Sequence, residues 1–190
     1  MAESSSVEQL AQIVIRGLGE GKVVEIDGLG LFLPDAVEGF RFEPRHLPQV
    51  FLAYVKEDAA AAERLYDALA AEGFNPWMDA RRLLPGQNWP RAIEAAIESS
   101  DFFVACYSEN SANKKGGFQA EIRYALDCAR LVPLDEIFVV PVRLTPCPVP
   151  RAIQRELQYV DLFPDWHEGV RRLVTTMRRE VARRRGGDSI

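Results

Sequence analysis

The residue types most used for catalysis are sparse in this chain, and their spacing argues against several chemistries. Only two histidines occur, His46 and His167, too far apart in the chain to suggest a histidine metal cluster or a histidine-based triad. Gly21-Lys22 is followed by Val23 and lacks the leading glycine of a phosphate-cradling loop. Gly17, Gly19 and Gly21 are spaced by two and precede an extended stretch instead of opening a helix, so no dinucleotide fingerprint is present. Cys106, Cys128 and Cys147 are odd in number and widely separated, which suits neither a disulfide framework nor a paired-thiolate metal site. What is left is carboxylates, cations, hydroxyls and rings, among which elimination alone selects none. Carboxylates steady developing positive charge, lysine and arginine meet anions, and aromatic faces stack on planar ligands.

The elements that must hold these residues follow from hydrophobic patterning. From Gln49 onward, short apolar runs alternate with helical periodicity: VFLAYV (50–55), FNPWM (74–78), DFFVACY (101–107), IFVVPV (137–142) and a weaker LQYVDL (157–162). Five strands separated by single helices make a doubly wound α/β domain with a parallel sheet covered on both faces. Leu65 and Leu69 lie one turn apart on the first covering helix, and Trp89, Ile93 and Ile97 keep the same step on the second. A third helix, about Phe118 to Leu131, turns Ile122, Ala125 and Ala129 inward; the last carries Trp166, Val170, Leu173, Met177 and Val181 on one stripe. Ligands of such sheets bind beyond the carboxyl ends of the strands, in the loops 56–58, 79–88, 108–117 and 143–150. Two of these loops are long, with Pro85-Gly86 in one and Gly116-Gly117 in another. Asp79 closes the second strand, where it either braces the loop or meets a ligand. Ser108 stands at the mouth of the third strand as a turn cap or a ligand contact. Trp77 and Trp89 read first as core.

The N-terminal residues break the alternation. They read as a helix over about 7–17, a strand at 22–26, a turn at Asp27-Gly28, a strand LGLFL and a short FRF before Pro44. The run GEGKVVEIDGLGLF followed by GFRFEP resembles the core hairpin of the bacterial histone-like DNA-bending family. It lacks that family's long basic arms, and residues 1–48 hold four Arg/Lys against eight Asp/Glu where phosphate binding calls for the opposite sign. Residues 1–47 are therefore expected to form a small α+β appendage, with dimerisation kept as its implied role and DNA bending set aside.

Residues 48–185 resemble a Toll/interleukin-1 receptor (TIR) domain, with 186–190 as a disordered tail. VFLAYVKED is similar to the first TIR box, DARRLLPGQNW to the second with its Pro-Gly loop, and DLFPDW to the third; YSENSANKKGGFQAEIRYALD resembles the stretch that carries the glutamate of bacterial members. The resemblance implies a flavodoxin-like fold and two kinds of work: self-association with other TIR domains, and hydrolysis of NAD+ at its nicotinamide–ribose bond. It places Glu121 at the essential glutamate, with Tyr54, Lys56, Asp79, Arg81, Trp89, Ser108 and Phe118 around the substrate. Lys56 and Arg81 would meet the pyrophosphate, and Phe118 would stack on a ribose or base. Nicotinamide leaves a cationic pyridinium as a neutral base, so one carboxylate can serve where ordinary glycosidases need two. An early position on its helix should keep the Glu121 carboxylate charged. Two departures stand out: Gly117 occupies the position four before the glutamate where the family more often has an aromatic, and Ala53 replaces a common serine. The resemblance admits two functions, an NAD+ nucleohydrolase switched on by assembly in antiphage defence or as an effector, and a non-catalytic module that binds other TIR domains. NAD+ enters as substrate, with no cofactor or metal.

Net charge is −5, unevenly spread: Arg171 to Arg185 holds seven arginines against one glutamate, a solvated helix face or a contact for nucleic acid or acidic lipid. The acidic N-terminal residues weigh against nucleic acid. The start MAESSSVEQL has no basic region before an apolar run, no segment approaches membrane-span length, and a cytoplasmic location is expected.

Overall fold

The computed structural model describes residues 3–26, 29–44, 47–112, 114, 116–133 and 135–187, and the chain divides into two compact units, Met1–Leu47 and Pro48–Ile190. The first unit comprises helix α1 (Glu3–Gly19) and strands β1 (Val24–Ile26), β2 (Gly30–Asp35) and β3 (Gly39–Pro44), paired antiparallel in the order β1-β2-β3. The expected turn at Asp27-Gly28 lies outside the described residues. The β2–β3 loop is set by Asp35, whose Oδ1 accepts the backbone N–H of Val37 (2.8 Å) and Glu38 (2.9 Å). Helix α1 comes so close to β1 that a Cβ on Gly17 would lie 2.4 Å from Val24 Cγ2, so any side chain there would force Val24 to shift. Phe32 packs on Phe42 and Phe40, with ring centroids 4.7 and 5.8 Å apart.

In the second unit the chain alternates as the apolar runs require: β4 (Gln49–Ala53), α2 (Ala59–Ala71), β5 (Asn75–Trp77), α3 (Asp79–Arg82), α4 (Trp89–Glu98), β6 (Phe102–Tyr107), α5 (Gly117–Ala129), β7 (Val139–Arg143), α6 (Arg151–Glu156), β8 (Val160–Asp161) and α7 (Trp166–Gly187). All strands run parallel in the order β5-β4-β6-β7-β8, a flavodoxin-like sheet. Three differences from the sequence reading concern local structure. Residues 79–82, expected as loop, form the single turn α3; residues 151–156, unassigned, form α6; and α7 runs to Gly187, two residues into the expected tail.

Strand pleating sorts the core into two layers. Val50, Leu52, Phe102, Val104, Cys106, Val140 and Val142 face α2 and α7, where Leu65, Leu69, Leu173 and Met177 are fully buried. Phe51, Ala53, Phe103, Ala105, Tyr107 and Val139 face α4, α5 and α6. Each large side chain so buried contributes about 1.5–3 kcal/mol. Phe51 stacks between Trp77 (4.7 Å) and Phe103 (5.3 Å), so Trp77 belongs to the core as expected.

The arginine-rich stretch is partly spent inside the unit. Arg178 reaches Glu72 (2.7 Å), Arg183 reaches Asp135 (2.7 Å), and Arg183 and Arg184 both grip Glu180 (2.7 and 3.1 Å). Glu180 is 4% exposed and also accepts the backbone N–H of Ile137. These contacts, the arginines foremost, hold its carboxyl well down, at about 2. Among the described residues no helix is long and apolar enough to cross a membrane.

Candidate active site

Because β4 and β5 are neighbours, the residues that follow them meet at the rim of the sheet. Tyr54, one residue past β4, donates from its hydroxyl to Asp79 Oδ1 at 2.6 Å. Asp79 opens α3 and the same oxygen accepts the Ala80 backbone N–H at 2.8 Å. Burial first, and then the bond to Asp79, raises the Tyr54 hydroxyl well above its ordinary range, which keeps it a donor. Asp79 thus ties the end of β4 to the start of α3, and its negative charge also reaches Glu121.

Glu121 is the fifth residue of α5, past the free N–H groups of the first turn. Its carboxyl bends back over the helix start, where a Cβ on Gly117 would lie 3.8 Å from Oε1. Among the described residues it has no hydrogen-bond or ion-pair partner. Burial, followed by the charge of Asp79, pushes its pKa up to about 7. The expectation of a permanently charged carboxylate therefore needs correction: desolvation outweighs the helix N-terminus once the side chain lies a turn inside the helix and under cover.

Glu121 opens into a cleft of about 680 Å³ between α4 and α5. Trp89, Pro90, Ile93 and Ile97 line one wall; Gly117, Ala120, Arg123 and Tyr124 line the other. Trp89 was expected inward on the α4 stripe, but only Ile97 is fully buried, Ile93 is partly so, and Trp89 is 57% exposed at the cleft. Where position 117 has no side chain, an aromatic of α4 lines the same space. Ile93 was read only as part of the apolar step of α4, and Tyr124 on α5 carried no signal in the sequence. Tyr124 also donates to Glu98 across the helix pair.

The remaining candidates lie elsewhere. Phe118 is 7% exposed and meets Tyr107 edge-on at 5.8 Å in the core, so it offers no free face for stacking. Arg81 pairs with Asp67 at 2.8 Å and lies over the Tyr66 ring at 4.3 Å, turned to α2. Lys56 is exposed on the 3-10 turn Lys56–Asp58. Ser108 is 1% exposed and donates to Asp58, itself 9% exposed. Asn110 donates to the other Asp58 oxygen at 2.7 Å, and Ser111 Oγ donates to the Ser108 carbonyl at 3.0 Å. This network bridges the segments that follow β4 and β6, at the switch point where such sheets usually take ligands. Asp58 was the residue that sequence reasoning missed there. Among the described residues, no cluster of histidine, cysteine and carboxylates could hold a metal.

The long loop before α4 is locally locked. Gln87 N–H donates to the Leu84 carbonyl at 3.1 Å across Pro85-Gly86, with Gly86 at φ +86°, a conformation suited to glycine at the third position of a turn. Gln87 Oε1 returns to accept the Leu84 N–H at 3.1 Å, and Leu84 is left 70% exposed.

This sheet order and rim coincide with a match to the family model of the TIR domain over residues 50–174. The chain belongs to the TIR domain family. A TIR domain of a Toll-related receptor from Hydra magnipapillata superposes with a TM-score of 0.53 at 20% identity, over 66% of this chain and 97% of that one. The TIR domains of the activated Roq1 resistosome superpose with a TM-score of 0.52 at 19% identity, over 70% and 99%. At these identities the likeness is one of TIR fold. An uncharacterised protein, y4cD of Sinorhizobium fredii, is 27% identical over 116 residues, which are 61% of this chain and 18% of the relative. The chain thus spans under a fifth of that relative's length. The TIR match begins at residue 50, and the comparisons give the histone-like resemblance of residues 1–47 no support.

Proposed function

We propose that the TIR unit is an NAD+ nucleohydrolase in which Glu121 acts on the nicotinamide–ribose bond, giving nicotinamide and ADP-ribose or a cyclised isomer. The observation that carries this reading is the Glu121 carboxyl, without a hydrogen-bond or ion-pair partner among the described residues, opening into an α4–α5 cleft that Trp89 also lines. A pyridinium entering that cleft brings positive charge next to Glu121, which favours the ionised form. The carboxylate then faces the ribose as the bond to nitrogen breaks, the bonding pair leaves with neutral nicotinamide, and the ring gains oxocarbenium character. Trp89 offers a face to the cationic ring. Lys56, exposed on the rim, would meet the pyrophosphate; Arg81 would have to leave Asp67 to do so. Self-assembly of TIR units switches the activity on, in antiphage defence or as an effector.

The second reading is a non-catalytic module that binds other TIR domains. Leu84 at 70% exposure and Trp89 at 57%, flanking the locked Pro85-Gly86 turn, favour it. One assay separates the two. Concentrated protein incubated with NAD+ should release nicotinamide, and Glu121→Gln should abolish the release; equal release by both variants, or none by the wild type when assembled, removes the enzymatic reading.

A further inference from the structure

Among the described residues, the sheet of the N-terminal unit leaves one long edge unpaired. In the order β1-β2-β3, strand β1 contributes an edge of three residues and β3 an edge of six, Gly39 to Pro44. A free edge with exposed apolar side chains is a template for another strand unless charges, proline, bulges or cover blunt it; on β3 the one proline, Pro44, stands at the strand's end, where it withholds a single ladder N–H. On β3, Phe40 and Phe42 are 47% and 38% exposed. The charges that alternate with them are of opposite sign, Arg41 and Glu43, paired with each other at 2.9 Å on the surface. Such an exposed pair adds little to the unit's own stability.

We propose that β3 pairs antiparallel with β3 of a second copy of this chain, about a two-fold axis at Phe42. The register follows from charge. With Phe42 opposite Phe42, Arg41 of each copy stands opposite Glu43 of the other, and Phe40 stands opposite Pro44. A shift by two residues either way loses this double match, placing Arg41 opposite Arg41 or Glu43 opposite Glu43. Side chains two apart share a face, so the Phe32–Phe42–Phe40 cluster continues across the axis into its counterpart. Directly opposite aromatic pairs and opposite charges are the contacts that stabilise antiparallel neighbours. The result is a six-stranded sheet with an isologous interface. The two copies carry the same net negative charge, so the matched pairs must also offset that repulsion. This pairing is independent of the hydrolytic reading.

Sedimentation of the full chain at micromolar concentrations tests it. The wild type should form a dimer. Arg41→Glu and Glu43→Arg, each placing like charges opposite one another twice, should weaken it by about tenfold or more, with circular dichroism unchanged. The double variant Arg41→Glu/Glu43→Arg restores the match and should restore the dimer, Arg41→Lys should retain it, and an equimolar mixture of the two single variants should form a heterodimer. Single variants that associate as tightly as the wild type, a mixture that gains nothing, or a wild type that sediments as a monomer up to roughly 100 µM would each overturn the pairing.

Discussion

The hydroxyl of Tyr54 and the carboxylate of Asp79, 25 residues apart, are joined by a 2.6 Å hydrogen bond at the rim of the sheet, and Asp79 in turn bears on Glu121. The bond ties the end of β4 to the start of α3 and fixes where a negative charge sits beside the candidate catalytic group.

Asp79→Asn removes that charge while keeping the shape. Since the charge of Asp79 is, after burial, the cause that raises Glu121, the Glu121 carboxyl should then titrate below about 7. Carbon-detected NMR of the glutamate carboxyl reads the shift directly; an unchanged midpoint would show that the two groups do not interact. Tyr54→Phe should cost about 1.5–3 kcal/mol in urea unfolding, the range for a hydrogen bond to a charged acceptor.

Hydrolysis that needs the ionised Glu121 should rise with pH through about 7 and level off above it. The stability effect has the opposite direction. A carboxyl whose folded pKa is raised binds more protons in the folded than in the unfolded chain between about 4.5 and 7, so the protein loses stability as pH rises through that window. Glu121→Gln should therefore be more stable than the wild type at pH 8, by about 1–2 kcal/mol, while nicotinamide release is lost. Equal stability at pH 8 would argue that the carboxyl is well solvated.

Glu180 behaves the other way. Its folded pKa, held at about 2, lies below the ordinary value of 4.5, so its stabilising contribution is full above 4.5 and is lost as pH falls toward 2. Glu180→Gln should cost about 3 kcal/mol at pH 7, with the difference from wild type shrinking toward pH 2. Denaturant titrations at both pH values measure it.

Asp58→Ala should destabilise by about 1–3 kcal/mol, because it leaves the buried Ser108 hydroxyl without its acceptor, while the exposed Asn110 amide can turn to water. Ser108→Ala should act on stability and leave the KM for NAD+ near the wild-type value; a large KM effect with unchanged stability would return Ser108 to the substrate.

The parallel sheet and its covering helices were legible in the chain because the signals are local: runs of apolar residues long enough for buried strands, and the step of four that places Leu65 over Leu69 or Leu173 over Met177. Glu121 was reached only through its surrounding motif, since a glutamate on a helix carries no local mark of function. Residues 1–47 gave up their helix and hairpin on the same local terms, but a pattern shared by many small α+β units did not identify a family.

By itself, then, the order of apolar and polar residues determined the α/β alternation, the two-layered core and the loops that reach the rim. Only the tertiary structure decided that Phe118 and Ser108 turn inward while Trp89 turns out, that Asp58 accepts from Ser108 and Asn110 at the switch point, and that the cleft lies between α4 and α5. It also decided that Glu121 sits near neutrality. The physical reason is that burial and electrostatic coupling depend on what packs against a side chain from elsewhere in the chain, as Asp79 does on Glu121 across 42 residues of sequence, and no local pattern encodes that.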